Sequence, residues 1–375
     1  MQKVAQAWLI VTMTGSRSPL FLGLDSLISE SPLLLLTVIG GVFADRRDRR
    51  QMMLTSQVTQ LVAALGLAML IHTERIQLAH VFTLSFIVGC VRAFGGPAYQ
   101  SLLPTLVPRD HLPNAIALNS MQDNVARVIG PMVASVALAT LGMATCFALN
   151  AVSFVFVIAA ILALRDVHVP RGATESMLAQ FKGGLRFVRR GPNVSTVIAL
   201  AFIGAFLGLP LLTFLPVITN DVFHEGVAVY ARLVSCSGAG AVLGALAVAW
   251  LGRSKHMGRL LLLSLALLGT TMVALALSRT IYSSALILLI AGCLLVVCFS
   301  LATALAQLLS PPELRGRVVS LYLVAFLGGS PLGSLASGLL ITQMGSASIM
   351  LIANGSALTL VALYLLARGQ VLKDI

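Results

Sequence analysis

The sequence predicts an all-α membrane protein built from two related six-helix halves, with the first helix truncated at the N-terminus. Three observations predict it. Hydrophobic residues make up 58% of the 375 residues and charged residues 10%, against about 25% charged in a typical soluble domain. The mean hydropathy of +0.96 leaves too few polar groups to cover a globular surface. Apolar runs of about the 20 residues needed to cross the hydrocarbon core recur along the chain, and a loop-and-helix pattern repeats about 200 residues apart. The same composition excludes a soluble chain, a disordered scaffold and a collagen-like repeat.

Taken in order, the opening stretch Val4 to Met13 is apolar but covers only about half a span. Eleven full spans are expected at 20–43, 52–72, 79–100, 114–139, 143–164, 196–219, 228–251, 259–278, 282–308, 317–341 and 347–368. Between the fifth and sixth of these lies the longest polar stretch, 165–195. Within it Met177, Phe181, Leu185 and Val188 share one face at helical spacing, with Lys182, Arg186 and Arg189 on another. That pattern suits a helix lying along the membrane surface, with a plain linker as the alternative. The expected organisation is an N-terminal half at 1–164, a linker at 165–195 and a C-terminal half at 196–375.

The repeat supports two halves. Leu106 to Leu118 is similar to Leu309 to Ser320, and each stretch opens a helix marked by Gly130-Pro131 or by Ser330-Pro331 and Gly333. Gly41 and Gly244 stand before arginine clusters at a similar offset. Parallel six-helix repeats are one architecture of secondary transporters. The offset puts the start of the first helix before Met1, so that helix is expected to be truncated, by the gene start or by a real deletion.

Basic residues orient the loops. Alternate loops and the tail carry 18 Lys and Arg on one side, against Arg17, Arg75 and Arg279 on the other. Both termini are therefore expected in the cytoplasm. The net charge of +12 is spread between apolar runs and points to no nucleic acid. The five cysteines all sit inside apolar runs without a CxxC pair and read as buried small hydrophobes. No phosphate-binding GxxxxGK[ST], HExxH or metal-ligand cluster occurs, so no cofactor or metal is expected.

Ionisable groups inside spans are costly and are candidates for function. Here they are Asp25, Glu30 and Asp123, with Arg92, Arg127 and Arg232. Asp123 and Arg127 stand four apart and share a helix face. Asn119, Gln122 and Asn124 make that helix polar near its middle, as befits a face on a cavity. A static Asp123–Arg127 pair that merely satisfies two charges is the alternative. Phe202, Phe206 and Phe214 recur beside Pro210 and Pro216 on a span able to bend; packing is the plainer reading of these aromatics.

The run Gly41-Val-Phe-Ala-Asp45-Arg46-Arg-Asp48-Arg49-Arg50 resembles the loop 2–3 signature of the major facilitator superfamily, with Asp48 where most members carry Gly. That variant and the run Pro97 to Ser120 resemble the bacterial enterobactin and macrolide exporter branch, the transmembrane secretion effectors. The resemblance implies the major facilitator fold and a contact of Asp45 with a helix of the opposite half, locking one conformation. Topology anchoring is the alternative role for Asp45 and the arginines. Arg92 resembles the superfamily's fourth-helix arginine, implicated in proton transfer in proton-coupled members. Ala126-x3-Gly130-Pro131-x2-Ala134 resembles in part the antiporter motif of helix five, whose small residues allow close helix packing.

The function this implies is proton-coupled efflux of a small organic molecule (a drug, siderophore or similar metabolite) by alternating access. Uptake or facilitated transport, and a membrane sensor or scaffold that has lost transport, are the alternatives; a membrane enzyme is disfavoured. The proton-coupling candidates are Asp123, Arg127, Arg92, Glu30 and Asp25. The expected partners are the substrate, protons and the lipid bilayer, with the chain acting as a monomer in the inner membrane.

Overall fold

The computed structural model describes residues 2–46, 48–102, 106–164, 186–189, 191–251, 256–311 and 314–368. The side chains of 38–46, and of part of the first half of the fifth helix including Asp123 and Arg127, lie outside that description. The α-helices are α1 Gln2–Thr14, α2 Ser18–Arg46, α3 Arg49–His72, α4 Leu78–Leu102, α5 Leu112–Leu141, α6 Met143–Ala163 and α7 Pro192–Gly208. They continue as α8 Pro210–Thr213, α9 Leu215–Asp221, α10 Val227–Leu251, α11 Met257–Leu277, α12 Ile281–Leu308, α13 Arg315–Met344 and α14 Ala347–Arg368.

Among the described residues, ten helical stretches are long and apolar enough to cross a membrane. They match ten of the eleven expected spans. The eleventh, α5, has 30 residues, ample length to cross. Its continuous apolar stretch is only Ile129–Leu141, because Asn119, Gln122, Asp123, Asn124 and Arg127 interrupt its first half. The expected helix at 196–219 is broken into α7, α8 and α9. Pro210 and Pro216 cause the breaks, since each lacks an N–H and crowds the preceding turn. The surface helix expected within 165–195 falls on residues outside the description, apart from a helical turn at 186–189 and the start of α7.

The chain forms two compact units, Met1–Met13 with Leu27–Met177, and Thr14–Ser26 with Leu178–Ile375. In the first, α3 packs against both α4 and α6. In the second, α11 packs against both α12 and α14, the equivalent helices of a six-helix repeat. Close glycine-mediated approaches recur as well. A Cβ at Gly89 of α4 would lie 2.5 Å from the Ser29 carbonyl oxygen of α2, and one at Gly292 of α12 would lie 2.0 Å from the Ser237 carbonyl oxygen of α10. Only glycine lets backbones pass this closely, and in lipid such contacts drive helix association. The first turns of α2 belong to the second unit, where Gly23 lies against the backbone of Ser334 and Leu335 on α13. The core of that unit is aliphatic, with Leu261, Leu265, Leu268 and Met272 of α11 almost fully buried.

Candidate functional site

The short helix α1 carries a polar stripe. Gln2 and Gln6 stand one turn apart, with Lys3 beside them. Lys3 Nζ donates to Glu30 Oε1 on α2 at 2.5 Å, and the Glu30 side chain is 12% exposed while that of Lys3 is 69% exposed. Gln6 Nε2 donates to Ser85 Oγ on α4 at 2.7 Å within a buried setting. Asn150 Nδ2 of α6 donates to Gln2 Oε1 at 3.3 Å. At 1.5 Å rise per residue, Lys3 and Glu30 each lie roughly 16–18 Å along their helices from the α1–α2 turn, about halfway through a 30 Å core. A carboxylate at that depth needs a partner, and Lys3 is that partner. Glu30 is a candidate from the sequence, whereas Lys3 lies just ahead of the apolar stretch Val4 to Met13 and is not. The signal was present in the spacing of Gln2, Lys3 and Gln6.

A second polar contact joins α4 to α5. The Tyr99 hydroxyl donates to Asn119 Oδ1. Arg92 and Tyr99 stand seven residues apart, nearly two full turns, so they share a face of α4, and both are exposed. Successive spans run antiparallel, so moving from Tyr99 back to Arg92 corresponds to moving from Asn119 forward along α5. Arg92 lies about 10 Å from the Tyr99 level, and the backbones of Asp123 and Arg127 lie about 6 Å and 12 Å from the Asn119 level. This register brings Arg92 level with the Asp123–Arg127 turn. Tyr99 and Asn119 fix the alignment, and Tyr99 was not a candidate from sequence. Asp25, by contrast, stands about 140° around α2 from Glu30, and the two fall in different compact units.

The arginine-rich loop is a set of helix-end contacts. Asp48 is the N-cap of α3, with Oδ1 accepting from Arg50 N at 2.9 Å and from Gln51 N at 3.4 Å. Two of the four N–H groups orphaned at a helix start are thereby satisfied. Arg50 Nε donates to the Ile161 carbonyl at 3.1 Å, and Nη2 to the Leu162 carbonyl at 2.7 Å. These are end carbonyls of α6, where the helix dipole favours a cation. Met53, Ala98, Leu102 and Ile161 pack beneath them as one buried cluster. Arg49 is half-buried beside the cap. Gly41, Asp45 and Arg46 lie in the last turns of α2, and the contact expected of Asp45 falls on a side chain outside the description.

Gly130 and Pro131 lie inside α5. A Cβ at Gly130 would meet nothing within 4 Å, so no close helix approach is made there among the described residues. In the second unit, Phe202 and Phe206 stack with centroids 5.8 Å apart on α7. Phe299 of α12 meets Phe326 of α13 edge-on at 4.8 Å, with Tyr322 6.4 Å from Phe326. These rings are partly exposed apart from Tyr322, whereas Phe214 is fully buried. Arg232 is exposed on α10.

Comparison with known proteins identifies the assembly. The chain is 26% identical to the enterobactin exporter EntS of Citrobacter koseri over 366 residues, covering 96% of this chain and 82% of that protein. It is 27% identical to the enterobactin exporter EntS of Shigella boydii over the same shares. Among solved structures, the nucleoside transporter NupG aligns with a TM-score of 0.71 at 12% identity, covering 98% of this chain and 97% of that one. A bacterial homologue of the human lysosomal transporter Spinster, inward-facing and unoccupied, aligns with a TM-score of 0.67 at 15% identity, covering 99% and 98%. These structures share the fold. The family model described as transmembrane secretion effector matches residues 1–373, and the chain belongs to that family of major facilitator transporters.

Proposed function

We propose that the protein exports a small organic molecule across a bacterial inner membrane in exchange for protons, by alternating access of two halves at 1–164 and 196–375 joined by the 165–195 linker. The observation that carries the direction is the similarity to enterobactin exporters along 96% of the chain. The family itself makes it a multi-pass transporter. Both termini are placed in the cytoplasm on the 18-to-3 distribution of basic residues. Coupling is assigned to the Asp123–Arg127 turn with Arg92 level with it, and the chain acts as a monomer. One charge crossing 100 mV supplies about 2.3 kcal/mol, enough for roughly fiftyfold enrichment before any pH difference.

Everted membrane vesicles test the proposal. Respiration acidifies their interior, so a proton-driven exporter should concentrate substrate inside. A catecholate siderophore such as enterobactin is the first substrate to try, followed by a panel of hydrophobic drugs. Accumulation that collapses with a protonophore supports proton-coupled export. Accumulation confined to right-side-out vesicles would assign uptake instead, and none in either would leave a sensor or scaffold.

A further inference from the structure

The second unit carries an open-sided groove of about 470 Å³ between α7 and α14. Thr196, Leu200 and Ile203 form one wall, and Leu360, Tyr364 and Leu365 the other. The volume lies within the range of small-ligand clefts, and the wall from Thr196 to Ile203 runs about 10 Å along the helix. Thr196 and the Tyr364 hydroxyl apart, the lining is hydrocarbon or ring. On α14, Leu360, Tyr364 and Arg368 follow at successive i, i+4 positions, and all three are exposed. The Arg368 guanidinium lies 4.8 Å from the Tyr364 ring centroid, a cation–π contact that holds the charge at the mouth of the groove.

More positive charge gathers at the same end. Arg186 and Arg189 are exposed on the helical turn that precedes α7, and Gly191 N bonds back to the Phe187 carbonyl at 3.0 Å, joining that turn to the helix. Neither the stretch 186–208 nor α14 contains an Asp or Glu. An apolar slot roofed by arginines, with no Asp or Glu on either helix that forms it, matches one kind of molecule. We propose that this groove holds an acyl chain of an anionic phospholipid, with the lipid phosphate on Arg368. A phosphate accepts from a guanidinium with good geometry, and basic pockets between membrane helices take anionic head groups. The zwitterionic alternative brings its own ammonium into the arginine cluster and is disfavoured by it. This inference is independent of substrate and coupling.

The test uses the whole protein reconstituted in vesicles of equal phosphatidylglycerol and phosphatidylethanolamine, extracted into mild detergent and weighed by native mass spectrometry. Phosphatidylglycerol adducts should exceed phosphatidylethanolamine adducts on the parent protein. Arg368→Gln should cut that preference about fivefold, the effect expected of one basic side chain against an anionic surface, and Arg368→Lys should keep most of it. Ala199→Phe, which places a ring in the groove from an exposed position, should remove the retained lipid while leaving Arg368 intact. Equal retention of the two lipids by the parent, a preference that survives Arg368→Gln, adducts that survive Ala199→Phe, or a lipid-free dimer in place of the adduct would each overturn the proposal.

Discussion

Arg50 Nη2 lies 2.7 Å from the carbonyl oxygen of Leu162, a contact that spans 112 residues and ties the start of α3 to the end of α6. The same guanidinium reaches Ile161 through Nε, so one side chain satisfies two helix-end carbonyls. Arg50 thus anchors the first unit internally.

Arg50→Ala leaves both carbonyls without this donor. Hydrogen bonds to a charged group contribute on the order of 2 kcal/mol, which at the size of the first unit corresponds to a melting temperature lower by roughly 4–8 °C. Arg50→Lys, a point donor without the fork, should recover part of the loss. Thermal unfolding in detergent reads both, and a parent-like melt for Arg50→Ala would show that the contact contributes nothing.

Asp48 caps α3 through its side chain, accepting from Arg50 N and Gln51 N. Asp48→Ala should lower stability by about 1 kcal/mol, while Asp48→Gly should cost only a few tenths, because glycine is itself a tolerated N-cap. Equal melts for the two variants would separate Asp48 from any capping role.

The apolar spans were legible in the sequence because crossing a membrane imposes a length on each, and the breaks in the 196–219 helix were legible in Pro210 and Pro216. Pairings between helices were not. Lys3 and Glu30 meet across 27 positions, and no periodicity within α1 or α2 announces that their side chains face one another. Tyr99 and Asn119 likewise depend on how α4 and α5 slide past each other, a register that loop residues set and hydropathy does not. The tight packing at Gly292 left a trace only as one glycine among 32.

Glu30→Gln strands the Lys3 ammonium near mid-depth, and Lys3→Met strands the Glu30 carboxylate. The Glu30 side chain is largely buried, and leaving a buried charge without its partner costs more than replacing both members of the pair. Each single variant should therefore yield less folded protein than the Lys3→Met/Glu30→Gln double variant, by fluorescence-detected size exclusion. Additive losses would show that the pair is not coupled.

Gly292→Ala drives a Cβ to 2.0 Å from the Ser237 carbonyl oxygen, whereas a Cβ at Gly66 meets nothing within 4 Å. The first change should cost about 1–3 kcal/mol as α10 and α12 are pushed apart, with poor yield. The second should be neutral or stabilising by up to about 1 kcal/mol, since alanine is the better helix former. Similar melts for the two would mean that α10 and α12 separate at no cost.

The coupling assignment rests on register. With Tyr99 bonded to Asn119, Arg92 on α4 stands level with the turn of α5 that carries Asp123 and Arg127. A proton-driven exporter needs a carboxylate whose proton affinity differs between its two conformations, and exchanging one guanidinium contact for another changes that affinity. In the proposed scheme Arg127 and Arg92, on different helices near one level, are the two guanidinium groups exchanged. Asp123→Asn removes the titrating group while keeping its shape. The variant should still exchange labelled substrate across the membrane in both directions, yet fail to concentrate it when a pH gradient is imposed. Arg92→Gln should weaken accumulation in the same assay without abolishing exchange. A well-folded Asp123→Asn protein that accumulates substrate at the parent rate would remove Asp123 from the coupling path. Glu30, held by Lys3 at similar depth, would then be the carboxylate to neutralise next, in the Lys3→Met background so that no ammonium is left unpaired.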